Sequence, residues 1–152
     1  MREDKMHLIN KLFKNNKIRT LWNQEEEKYY ISVVDVVCAI TKSNDGRKYW
    51  NKLKQRLKEE GNQSVTNCHQ LKLKSSDGKY YKTDVVDIEG MFRIIESIPS
   101  KNAEKIKLWL AKLGRERIDE VFDPSISVER AIDLYIRKGY DEGWIKKRIF
   151  KR

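Results

Sequence analysis

The chain has 152 residues, 39% apolar and 37% charged, with 4 Trp, 7 Tyr and 4 Phe. Such a composition excludes a disordered polymer and sets one domain with a small appendage as the expectation. Lys and Arg number 33 against 23 Asp and Glu, a formal charge of +10, which favours polyanionic partners.

The surplus sits at the two ends, with +5 in residues 1–60, balance in 61–100 and +5 in 101–152. An N-terminal helical segment is expected within 1–16, carried by Met6, Ile9, Leu12 and Phe13. Ile18 to Trp22 and Lys28 to Ile31 are β-branched and aromatic, and they flank the polar run Asn23-Gln24-Glu25-Glu26-Glu27, which predicts a hairpin. Ser32 then caps a helix whose Val33, Val36, Val37 and Ile40 recur at helical spacing, with Asp35 in the first turn where the helix dipole favours it. After the turn-forming Thr41-Lys42-Ser43-Asn44 comes a helix over Asp45 to Lys58, ending near Gly61.

A second hairpin follows, His69 to Lys74 and Lys79 to Val86, joined by Ser75-Ser76-Asp77-Gly78. Asp87 caps a helix with Met91, Phe92, Ile95 and Ile98 on its apolar face, and Ser100 caps a longer one carrying Ala103, Ile106, Trp109, Leu110 and Leu113. Gly114 is a point where that helix loosens on its way to Phe122. Beyond Asp123-Pro124 the pattern predicts a helical pair, Ser127 to Lys138 and Glu142 to Phe150, with Gly139 between them, Asp141 as cap and a basic tail of Lys146, Lys147, Arg148, Lys151 and Arg152. The fold class is α+β: hairpin, helix-turn-helix, a wing-like second hairpin, further helices, and a helical extension over 123–152.

At about 100° per residue, Tyr49, Trp50, Leu53 and Leu57 form the core-facing stripe of the helix from Asp45 to Lys58. Its opposite side then carries Arg47, Lys48, Asn51, Lys54, Gln55 and Lys58. Cations of this kind neutralise phosphates or pair with guanine, and Asn and Gln pair with adenine edges, so the face suits a major-groove reader. It also occupies the second position of a helix-turn-helix, the place of a recognition helix. A merely solvated face would mix signs for i,i+4 pairing, yet no acid lies between Gly46 and Lys58. Lys72, Lys74, Lys79 and Lys82 on the second hairpin extend the basic surface like a wing, although lysines also guard strand edges. The alternative is a protein-interaction module that inhibits or retargets a repressor or recombination protein, with incidental DNA affinity.

The stretches KIRTLWNQEEEKYYISVVDVVCAIT, GRKYWNKLKQRLKEEG, LKLKSSDGKYYKTDVVDIEGMFRIIESIPS and the run from Lys101 to Gly114 resemble the BRO family N-terminal domain, in the subgroup with DNA-damage-inducible protein D and prophage antirepressor-like proteins. The resemblance covers roughly residues 17–122 as a domain and extends, more like that subgroup, through the helices after Asp123, and Tyr49-Trp50 with Leu53, together with Trp109, weigh most in it. It implies a DNA-binding domain, often the front end of a longer protein, that serves phage or mobile-element gene regulation or a DNA-damage response.

Other chemistries fit less well. Asp84, Asp87 and Glu89 are the carboxylates a Mg²⁺-dependent nuclease would need, but a strand end and a helix start account for them. Cys68-His69 with Cys38 and His7 lacks zinc spacing, and no phosphate-cradling glycine loop or nucleophile elbow occurs, so no enzyme, cofactor or metal is expected. Trp22 and Trp144 are candidates for base stacking, whereas Trp50 and Trp109 are expected in the core. No apolar run reaches the roughly 18 residues of a membrane span, MREDKMHLIN is not a signal peptide, and two cysteines without a disulfide pattern suit a reducing cytosol. The expected partners are DNA, with RNA as an alternative, and a repressor or recombination protein, not a membrane, while Trp144, Ile145, Ile149 and Phe150 of the tail suit docking onto the domain or a second subunit.

Overall fold

The computed structural model describes residues 8–13, 16–62 and 68–150, so that Met6, His7, Lys151 and Arg152 lie outside the described residues. The chain forms two compact units, Met1–Lys107 and Leu108–Arg152.

In the first unit, residues 8–12 are helical, with Ile9 and Phe13 buried. β1 (Thr20–Asn23) and β2 (Lys28–Ser32) pair antiparallel from Thr20↔Ile31 to Asn23↔Lys28. Asn23 Oδ1 accepts the Glu26 amide at 2.9 Å to close the turn. β3 (His69–Lys74) and β4 (Tyr80–Val86) make the second hairpin, whose turn is closed by Ser75 N donating to Lys79 O at 2.8 Å and opened to a positive φ of 83° at Gly78. The strands form one sheet in the order β1-β2-β4-β3. β2 and β4 meet only at Ile31↔Val86 and Ser32↔Val85, so the rest of the β3–β4 hairpin extends past β2, as a wing does.

α1 (Val33–Thr41) starts at Ser32, whose Oγ accepts from Asp35 N, and stops at Lys42, which takes up a left-handed conformation. Val33, Val36, Val37 and Ile40 are all buried, as the spacing predicts. A short turn leads to α2 (Gly46–Glu59), capped by Asp45, which accepts from Lys48 N at 3.0 Å. α3 (Ile88–Glu96) is capped by Asp87 and packs against β2, β4 and α1. Ile94 joins Met91, Ile95 and Ile98 in the core, while Phe92 is only half-buried. Tyr30, Leu73 and Val85 form a separate buried cluster that Leu71 flanks.

α4 (Lys101–Phe122) starts at Ser100, whose Oγ accepts from Ala103 N at 3.1 Å, and runs unbroken through Gly114. Its first turns belong to the first unit, where Ala103 and Ile106 are buried and Asn102 Nδ2 donates to Ile40 O at 3.1 Å. Beyond Lys107 the stripe changes character. Trp109, expected in the core, is 36% exposed and Leu113 38%, because the second unit is three helical segments with little mass to cover them.

In that second unit, α5 (Ser125–Arg137) begins two residues before the expected Ser127, because the Asp123 carboxylate accepts from both N and Oγ of Ser125. α6 (Glu142–Phe150) is capped by Asp141, which accepts from Trp144 N at 2.8 Å. Trp144 stacks on Tyr140 with ring centroids 4.1 Å apart, and Tyr135 meets both rings edge-on. No helix among the described residues is long and apolar enough to cross a membrane.

Candidate nucleic-acid interface

α2 turns Trp50, Leu53 and Leu57 inward, each at most 4% exposed, and leaves Tyr49 half-buried. That stripe fixes what faces out. Arg47, Lys48, Asn51, Gln55 and Lys58 are exposed, as the periodicity predicts. Gln55 Nε2 reaches Glu59 Oε1 at 3.4 Å one turn on. Arg56, beside the stripe, donates to Ser97 O at 2.9 Å and so ties α2 to the end of α3.

Lys54 differs from the other cations of this face. Its Nζ lies 3.0 Å from Asp84 Oδ2, and its side chain is only 30% exposed. The same carboxylate accepts from Trp50 Nε1 at 2.8 Å and, through Oδ1, from Gln70 Nε2 at 3.1 Å. Burial pushes the Asp84 carboxyl upward, but the donors of Trp50, Lys54 and Gln70 outweigh it and hold the group below the usual carboxylate range. Asp84 is therefore a charged clamp between α2 and the second hairpin rather than a bare strand-end acid. Sequence reasoning missed it because the link depends on β4 being in register with β3 and set beside α2, which no local spacing displays.

The hairpin's outer face continues from this clamp. Gln70 pairs in register with Asp84, Lys72 with Lys82 and Lys74 with Tyr80, while Leu71 and Leu73 turn the other way. Lys72 and Lys82 thus sit directly opposite each other, both exposed. Two like charges at opposed positions cost stability in the free protein. Lys79 is exposed in the turn, so all four hairpin lysines are accessible.

Between α2 and the hairpin lies a groove of about 250 Å³, lined among others by Arg47, Asn51, Gln70, Lys82 and Asp84. Arg19 also borders it. Its backbone N and Nε both donate to Asp35 Oδ2 at 2.8 Å, Nη2 donates to Oδ1 at 3.1 Å, and Nη1 donates to Lys74 O at 3.2 Å. This fork joins β1, the first turn of α1 and the end of β3, and like the Asp84 clamp it positions the hairpin.

Asp87 and Glu89 do not join Asp84. Asp87 caps α3 through Gly90 N at 2.8 Å and pairs with Lys28 at 3.3 Å, and the Gly90 amide holds its carboxyl below the usual range. Among the described residues no group of three or more His, Cys, Asp or Glu is arranged to hold a metal. Cys38 and Cys68 are half-buried, and burial pushes the Cys68 thiol up to about 11.

The family model described as BRO family, N-terminal domain, matches residues 17–122, from the segment before β1 to the end of α4. No curated protein and no solved structure matches the chain.

Proposed function

The chain belongs to the BRO family through its N-terminal domain, and from that premise we propose that it is a DNA-binding regulator of the antirepressor type, acting in phage or mobile-element gene control or in a DNA-damage response. α2 is its recognition helix and the β3–β4 hairpin its wing. The observation that carries this reading is the opposition of Lys72 and Lys82 on the hairpin face that Asp84 joins to α2, whose outward face has no acid from Gly46 to Lys58 and meets one only at Glu59 in its last turn. A protein that places like charges opposite each other, against its own stability, has a polyanion to gain from them.

In this reading Arg47, Lys48, Lys58, Lys72, Lys74, Lys79 and Lys82 meet phosphates, while Asn51 and Gln55 meet base edges. Lys54 serves chiefly as the bridge to Asp84 that sets the angle between helix and wing. The reaction is binding, and no group here is assigned a catalytic role.

The test is a titration of labelled duplex DNA, single-stranded DNA and RNA at several salt concentrations. With about five phosphates neutralised, log K falls against log salt with a slope of about −4 to −5 on duplex. Arg47→Ala with Lys82→Ala makes that slope shallower by about 2 and weakens all sequences alike, whereas Asn51→Ala shifts sequence preference with the slope unchanged. If no complex forms on duplex at low salt, or the Arg47/Lys82 variant binds like the parent, the reading is wrong and a protein-interaction module takes its place.

A further inference from the structure

The second unit leaves an ordered row of apolar side chains uncovered. Ile145 is its one buried apolar residue among the described residues, while Leu108 is 63% exposed, Ile118 59% and Phe122 86%. Trp109, Leu113 and Val121 are also exposed on other sides of α4, but one set of positions is ordered. Leu108, Ala111, Arg115, Ile118 and Phe122 follow one another along α4 at alternating steps of three and four, the repeat that keeps a single seam facing a partner helix. All five are exposed, so neither α5 nor α6 covers the seam.

We propose that this seam of α4 is the contact with a second copy of the chain, packed antiparallel about a twofold axis. The side chains choose both the partner and the direction. In a parallel pair, Arg115 would meet Arg115 of the second copy in the same layer, two like charges against an apolar seam. Antiparallel packing staggers the layers and sets Arg115 against Ile118 of the second copy. It also sets Ala111 against Phe122 of the second copy, small opposite large, and does so twice by symmetry. On the flank of the same arrangement Lys112 faces Asp119 of the second copy, again twice, so the charges are self-complementary.

Arg115 suits a layer of this kind. Its Nη1 already donates to Asp119 Oδ2 at 3.0 Å along the helix, which draws the guanidinium aside and leaves the aliphatic stem to cover an apolar neighbour. From Leu108 to Phe122 the seam is about 22 Å long. A contact of that length falls short of a permanent interface, so association is reversible, with a dissociation constant of about 1–100 µM.

Sedimentation equilibrium of the full chain from about 1 µM to 1 mM tests this. The mass is expected to rise from 18.2 kDa toward twice that value with concentration. Ile118→Lys changes an exposed side chain, so helix content by circular dichroism stays as in the parent while association weakens by roughly tenfold or more, as when a central anchor is lost. Lys112→Glu weakens association by roughly threefold to tenfold, the worth of two surface ion pairs, whereas Lys112→Arg, which keeps the charge, associates like the parent. A monomer at every concentration, or a dimer indifferent to Ile118→Lys, overturns the interface. Association indifferent to Lys112→Glu overturns the antiparallel register.

Discussion

Asp84 shows how one side chain joins fold to function. Its carboxylate takes the Trp50 indole N–H, the Lys54 ammonium and the Gln70 amide, and its side chain is only 11% exposed. Replacing it with Ala leaves a buried indole N–H and a half-buried ammonium without their acceptor, a loss of about 1–3 kcal/mol. Asp84→Asn keeps one acceptor oxygen, puts an NH2 donor where the other oxygen accepted and removes the charge, and the part of its effect that comes from the charge depends on pH. Because the folded-state pKa of Asp84 lies below the unfolded value, its charge stabilises the fold above about pH 4 and ceases to do so as pH falls through the folded pKa. Denaturant titrations should therefore find Asp84→Asn less stable than the parent at neutral pH, with the difference shrinking as the pH drops below about 4. A difference that stays constant across that range would mean that the charge itself contributes nothing.

At the level of elements, the junction of α1 and α2 rests on a close approach. A Cβ at Gly46 would fall on Cys38 Sγ, and the Gly46 amide itself donates toward that sulfur. Elsewhere in an exposed helix Ala is favoured over Gly by about 1 kcal/mol, so here the sulfur decides the sign. Gly46→Ala is expected to destabilise by about 1–3 kcal/mol through overpacking. In a Cys38→Ala background, where the next nearest atoms stand at 3.4 and 3.5 Å, the same change should cost nothing or stabilise. A double-mutant cycle by urea denaturation measures this coupling, and additive effects would disprove the contact. The two helices themselves were legible in the sequence because Val33 to Ile40 and Trp50 to Leu57 bury one face each and cap with Ser32 and Asp45, all within a few residues. The outward face of α2 was legible for the same reason. What escaped was long-range: the Asp84 clamp links residues 30 and 34 positions apart, and the opposition of Lys72 to Lys82 depends on strand register. Trp109 was misplaced because an apolar stripe records a tendency to be covered without recording what covers it.

For the molecule as a whole, the uneven distribution of buried apolar side chains has consequences for cooperativity. The first unit holds Ile31, Val37, Val85 and Ile95, all fully buried, between the sheet, α1 and α3. The second relies on Ile145, the ring cluster of Tyr135, Tyr140 and Trp144, and the ion pair of Arg130 with the buried Glu120. α5 buries no residue at all. Helices of this length are marginal without packing, so α5 and α6 should open well below the free energy of global unfolding. Native-state hydrogen exchange at low protein concentration should then find their amides exchanging faster than those of β2 and α1 by a factor on the order of 10² or more. Because the seam on α4 lies in the same unit, raising the concentration into the range of self-association should slow exchange over 108–122 while leaving β2 and α1 unchanged. Equal protection of both units in dilute solution would mean that the helical unit is stabilised by something other than its own core and a second copy.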